Sequence, residues 1–196
     1  MYINKDIECL IKLSSAKAAK KFKLIDKIIK DSKKIDIDYV KLYECILQVY
    51  LFCGFPATIE SLKVFKKYYP VNSVLLEQKV INPREKGLKT FKKIYGNNYK
   101  KVILNIQNLS DELSEWMLLE GYGKVLSRQG LTLAEREIIN VSVLCTDYYP
   151  VQLFSHIKGC LNCGLTKKEI AKVIELTGGI NTEGNIKKSL KILKTV

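Results

Sequence analysis

Residues 130–175 read GLTLAEREIINVSVLCTDYYPVQLFSHIKGCLNCGLTKKEIAKVIE, and this stretch decides the fold. It predicts three consecutive helices, each with its own start signal. Thr132 and Glu135 are spaced as a capping box, in which a hydroxyl and a carboxylate three residues apart satisfy free backbone N–H groups at a helix start. Thr166 and Glu169 repeat the pattern. Between them Pro150 suits a first helical turn, where its missing N–H would have had no partner. Gly164 is placed to end the middle helix in a left-handed conformation. The middle helix carries His156, the single histidine of the chain.

Working outward, the rest of the chain is also helical in pattern. Residues 1–37 place Ile7, Leu10, Ile11, Ala18, Phe22, Ile25, Ile28 and Ile29 at helical spacing, as one or two amphipathic helices forming an N-terminal extension. Asp38 is a cap for a helix starting near Tyr39. Gly54 and Pro56 predict a kink or restart near Phe55, followed by about ten helical residues. Glu44 and Gln48 lie one turn apart on this apolar segment, facing either solvent or a cleft. The linker is assigned to 70–85, with a short helix at 74–79 inside it. Helices are expected at 86–95 and 99–108. Another follows at 111–127, capped by Ser110, with Gly121 and Gly123 allowing close packing. Residues 179–196 read as a lysine-rich C-terminal tail. Strand alternation is rare, and no phosphate-cradling glycine loop or nucleophile elbow occurs.

With 196 residues and 47% hydrophobic content, the chain can build a real core. The net charge is +13, yet only three of the 33 basic residues are arginines: Arg84, Arg128 and Arg136. Nucleic-acid readers rely on clustered arginine forks and aromatic stacking. Here lysines are spread over every helix, which favours a solvated basic surface over nucleic-acid binding and can draw in small anions. No secretory or membrane-spanning segment is read from the sequence, so a cytoplasmic protein with reduced thiols is expected.

Chemistry concentrates on the middle helix. Gln152, His156 and Cys160 are successive i, i+4 neighbours, and Cys163 follows at i+7 from the histidine. Glu137 lies on the preceding helix, and two antiparallel helices can bring it to His156. A carboxylate against an imidazole fixes its tautomer and raises its basicity, the arrangement of a general acid/base. Cys160 and Cys163 have a Cys-x-x-Cys spacing, but at a helix C-terminus, where the dipole disfavours a thiolate. They are read as structural cysteines or as a redox pair. A zinc site built on His156 and both cysteines lacks an evident fourth ligand, so no metal and no cofactor is assigned.

Residues 133–139 (Leu-Ala-Glu-Arg-Glu-Ile-Ile), then His156, then residues 164–170 (Gly-Leu-Thr-Lys-Lys-Glu-Ile) resemble the carboxymuconolactone decarboxylase family, within the alkyl hydroperoxidase D-like superfamily. The pairs Tyr95-Gly96 and Tyr122-Gly123 add to the likeness, which covers residues 84–177. It implies an all-α bundle of the alkyl hydroperoxidase D type, assembled as a homo-trimer or hexamer, with the domain proper at 86–178. The family's final helix has no counterpart after Glu175. Residues 44–62, within a helix pair at 38–69, look like it instead. Either the domain is circularly permuted, or residues 1–70 remain from a duplicated copy; the permuted arrangement is preferred because it completes one core.

In the hydroperoxidase branch a Cys-x-x-Cys pair precedes the histidine; here those positions hold Tyr149 and Gln152. The resemblance therefore favours decarboxylase-like proton transfer by Glu137 and His156 on a small, anionic substrate. Arg136 is a candidate to hold its carboxylate, with Gln152, Tyr149 and Glu44 as further substrate contacts. The alternatives are a peroxiredoxin-type thiol peroxidase using Cys160 and Cys163, and a non-catalytic helical oligomer that binds a ligand or protein.

Overall fold

The computed structural model describes residues 3–70 and 82–196, and they are all-helical. The order is α1 (Lys5–Ala18), α2 (Phe22–Ser32), α3 (Tyr39–Gln48), α4 (Tyr50–Tyr68), α5 (Pro83–Tyr95), α6 (Tyr99–Gln107), α7 (Asp111–Trp116), a π-helical segment (Met117–Val125), α8 (Leu133–Asp147), α9 (Pro150–Asn162), α10 (Lys167–Leu176) and α11 (Glu183–Thr195). Among the described residues no single helix is long and apolar enough to cross a membrane.

The start signals act as the sequence predicts. Thr132 with Glu135, and Thr166 with Glu169, form complete capping boxes at α8 and α10. Pro150 opens α9, Gly164 follows its end at φ +93°, and Asp38 caps α3. α8 is the central rod. Ile138, Ile139, Val141, Val143 and Cys145 are fully buried on it, so almost every face has a neighbour. α1, α9, α10, α11 and α3 surround it. Burial of an apolar side chain contributes about 1.5–3 kcal/mol, so this rod anchors one continuous core that runs from Ile7 to Leu193. Residues 1–37 are part of that core, since Leu10, Ile11, Leu13, Ala16, Ile25 and Ile29 are buried in it.

A second, smaller core joins Phe91 and Ile94 of α5 to Leu118, Tyr122 and Leu126. Here backbones come unusually close: a Cβ on Gly87 would collide with the Leu118 carbonyl, and one on Gly123 with that of Pro83. Only glycine permits this approach.

Several boundaries differ from the sequence expectation. The helix expected over 111–127 is α-helical only to Trp116; a π-helix follows, closed by a hydrogen bond from the Leu126 N–H to the Gly121 carbonyl. A π-turn is rare and is found mostly at functional sites. α5 begins at Pro83, three residues before the expected start, because Asn82 caps it. The chain also breaks at Val49, while the kink expected near Phe55 is present at Gly54 (φ +73°), whose freedom from a Cβ absorbs it. Residues 179–196 are no tail. Thr182 caps α11, which packs on α8, α9 and α10 and buries Leu193. The short helix expected at 74–79, with most of the linker, lies outside the described residues.

Candidate active site

α8 and α9 are joined by a tight turn in which Tyr148 takes a left-handed conformation (φ +59°). The turn folds α9 back along α8 and sets Glu137 opposite His156. Glu137 Oε2 lies 2.8 Å from His156 Nδ1. Glu137 is fully buried and His156 is 8% exposed. With the carboxylate ionised, Nδ1–H is the donor, so the lone pair stays on Nε2. Nε2 has no protein partner among the described residues.

Glycine makes this approach possible. A Cβ on Gly159, one turn after His156, would lie 3.1 Å from Glu137 Cδ, closer still to Oε2, and 2.9 Å from Ile94 Cγ2. Gly159 is therefore the hole into which the carboxylate fits.

Behind the pair runs a polar chain that the sequence did not disclose. Asn140 Nδ2 donates to Glu137 Oε1 at 2.9 Å. Gln48 Nε2 donates to Asn140 Oδ1 at 2.8 Å and to the Arg136 carbonyl at 2.8 Å. Arg136 Nη1 donates to Gln48 Oε1 at 3.0 Å, and its Nη2 to Glu44 Oε2 at 3.0 Å. Glu44 also receives Arg128, at 2.8 and 3.0 Å. Each amide's orientation is thus set by its neighbour, so Asn140 offers its N–H to the carboxylate. Glu44, Gln48, Arg136, Glu137 and Asn140 are all fully buried. Groups so placed are held only if their partners are in place.

His156 lines a cavity of about 800 Å³ between the two cores. α4 contributes Tyr50, Leu51 and Phe52, α5 Tyr95, the π-segment Met117 and Tyr122, α8 Asn140 and α9 Gln152 and Ser155. The hydroxyls of Tyr95 and Tyr122 are 2.8 Å apart. Burial pushes both phenols above their ordinary range, and the Glu137 charge pushes them further. Among the described residues no lysine or arginine lines the cavity; its acid, Glu120, is paired with Lys124. A second cavity, about 560 Å³, lies against α1 and α2 and contains none of these groups.

The sequence-derived candidates divide sharply. Glu137 and His156 meet, and Gln152 lines the cavity. Arg136 and Glu44 do not line it, because each satisfies the other's charge in the interior; neither is placed to contact a substrate. The anionic substrate expected from Arg136 therefore loses its cation. Tyr149 is 56% exposed and is also outside the lining. Cys160 is fully buried, and burial together with the Glu137 charge holds its thiol well above the ordinary range. Cys163 is half-buried and is pushed up to about 11 by the same causes. Neither thiol lines the cavity, and both are free. Among the described residues no three His, Cys, Asp or Glu side chains are grouped to hold a metal ion. Asn140 and Gly159 were missed. Asn140 falls three residues after Glu137, on the same helix face, which was a usable signal; Gly159 gave none beyond its cost to a helix.

No family model matches the chain. The chain is 29% identical over 153 residues to Peroxisomal protein 2 of Schizosaccharomyces pombe, covering 76% of this chain and 72% of that protein. It is 24% identical over 91 residues to the 4-carboxymuconolactone decarboxylase of Acinetobacter baylyi, covering 46% and 68%. The second match suggests the carboxymuconolactone decarboxylase family.

Proposed function

We propose that this chain is a carboxymuconolactone decarboxylase-like enzyme that moves a proton at a carbon atom of a small molecule. His156 Nε2 takes the proton and returns it; Glu137 holds the imidazole in the required tautomer and stabilises the imidazolium. The observation that carries this reading is the 2.8 Å Glu137–His156 contact at the wall of the large cavity, with Nε2 unpartnered among the described residues. General acid/base catalysis needs a base within reach of the substrate proton and a group that orients it. The similarity to a decarboxylase agrees with this.

The assembly is a homo-oligomer, trimeric or hexameric. Its support is the apolar rim of the cavity, where Leu109, Leu113, Trp116 and Val151 are 77%, 49%, 61% and 72% exposed; apolar clusters at a surface mark contact sites. A reducing compartment such as the cytoplasm suits six free thiols.

The test is exchange of α-hydrogens for deuterium in a panel of enolisable ketones and lactones, read by NMR in D₂O. His156→Asn is expected to abolish exchange, and Glu137→Gln to slow it by about 10²–10⁴. Exchange that persists unchanged in His156→Asn overturns the proposal.

A further inference from the structure

We infer that the substrate is an uncharged, largely apolar carbonyl compound, not a carboxylate. The inference rests on the proposed proton transfer only for where the reacting carbon lies; the cavity's preference follows from its walls. Those walls include the rings of Tyr50, Phe52, Tyr95, Trp116 and Tyr122. Tyr95 and Tyr122 meet edge to face, their centroids 6.0 Å apart, beside the imidazole of His156. These rings present apolar surface to the cavity, against which an apolar or aromatic body packs, and about 800 Å³ is ample for one.

Charge points the same way. A carboxylate taken out of water needs a counter-ion or several donors. Among the described residues no basic side chain lines this cavity, and Arg136 is committed to Glu44 behind the wall. The buried charge closest to the reacting site is the Glu137 carboxylate, whose field is felt at Tyr95 and Tyr122. A substrate anion would meet that field, while Lys101 and Lys158 line not this cavity but an adjoining one that shares Tyr95 and Ser155 with it. A neutral carbonyl oxygen needs a single donor, and the side-chain amide of Gln152, which has no protein partner among the described residues, supplies one at the cavity wall.

Trp116 is the single tryptophan and lines this cavity, so its emission reports occupancy. The full chain is titrated with phenylacetone and, separately, with phenylacetate, and saturation-transfer NMR repeats the comparison without relying on tryptophan. Phenylacetone is expected to bind more tightly by on the order of tenfold or more. Gln152→Lys, a change at an exposed position, is expected to narrow or reverse that preference. Equal or tighter binding of phenylacetate to the natural chain overturns the inference, as does binding of neither. Exchange measured beside binding separates the two proposals. A preference for the neutral ligand that persists without any α-deuterium exchange in the natural chain removes proton transfer alone. Faster exchange on an anionic substrate removes the substrate class alone.

Discussion

Gly159→Ala adds one methyl group at the point where α9 meets Glu137. The new Cβ would stand 3.1 Å from Glu137 Cδ and 2.9 Å from Ile94 Cγ2, with Oε2 closer still. Ordinary contact lies near 3.5–4.0 Å, so the carboxylate must retreat by about 1 Å. The 2.8 Å bond to His156 Nδ1 does not survive such a shift. Overpacking of this size costs about 1–3 kcal/mol. For a chain of this length that lowers Tm by about 2–12 °C. Loss of the imidazole's orienting partner is expected to slow α-deuterium exchange by about 10²–10⁴. Thermal unfolding and exchange rates are measured on the same samples. Gly184→Ala on α11, where the nearest atom is 4.0 Å away, is the control and should leave exchange unchanged and Tm unchanged or slightly raised. Full exchange and full Tm in Gly159→Ala would refute the claim that this glycine seats the carboxylate.

Four further outcomes are expected. Glu44→Gln leaves Arg136 buried without its carboxylate, and urea unfolding should show a loss of about 3–5 kcal/mol. Burial lowers Lys17 from 10.5 to about 8, with Nζ held by the Ile46 carbonyl and Thr58 Oγ1. The folded chain then binds fewer protons than the unfolded one between about pH 8 and 10.5, so the Lys17 contribution to stability rises with pH across that window, by about 3 kcal/mol. The buried thiols Cys9 and Cys45, pushed up to about 12, act oppositely above pH 9, so the quantity to measure is the stability of the natural chain minus that of Lys17→Met, which should shift in favour of the natural chain as pH rises; a flat difference counts against it. Cys163→Ser should leave α-deuterium exchange and peroxide consumption unchanged, because a thiol near 11 is ionised to only about one part in 10⁴ at pH 7. Gly123→Ala should cost about 3 kcal/mol in denaturant unfolding, since its methyl would run into the Pro83 carbonyl.

What was legible in the sequence was what local chemistry determines. The capping boxes at Thr132 and Thr166, the first-turn Pro150 and the left-handed Gly164 each act within one turn of backbone, so their residues suffice to read them. The Glu137–His156 meeting was legible because a short turn leaves two consecutive helices few ways to pack. Arg136 was not. It is next to Glu137 in sequence, but neighbours on a helix diverge by about 100°, so one faces the cavity side and the other the interior. Which face is which depends on α3, through Glu44 and Gln48, more than eighty residues earlier. The same distance in sequence hid Asn140's role, because Gln48 sets its amide. Residues 179–196 failed for a different cause: a lysine-rich face with sparse apolar residues resembles a tail until α8, α9 and α10 offer it a surface.

That division bears on how the site works. The local signals build the rods, while the imidazole's surroundings come from contacts between distant segments. Glu44, Gln48, Arg136 and Asn140 form one hydrogen-bonded line ending at Glu137. A group at the end of such a line is held in position without touching substrate. Perturbation at Glu44, far along it, should therefore reach the exchange rate only as far as Asn140 turns. Asn140→Asp, which replaces the donor on Glu137 by a second carboxylate, tests this directly. It should slow exchange more than Glu44→Gln does. The reverse order would mean that the line holds the bundle together and leaves His156 to orient itself.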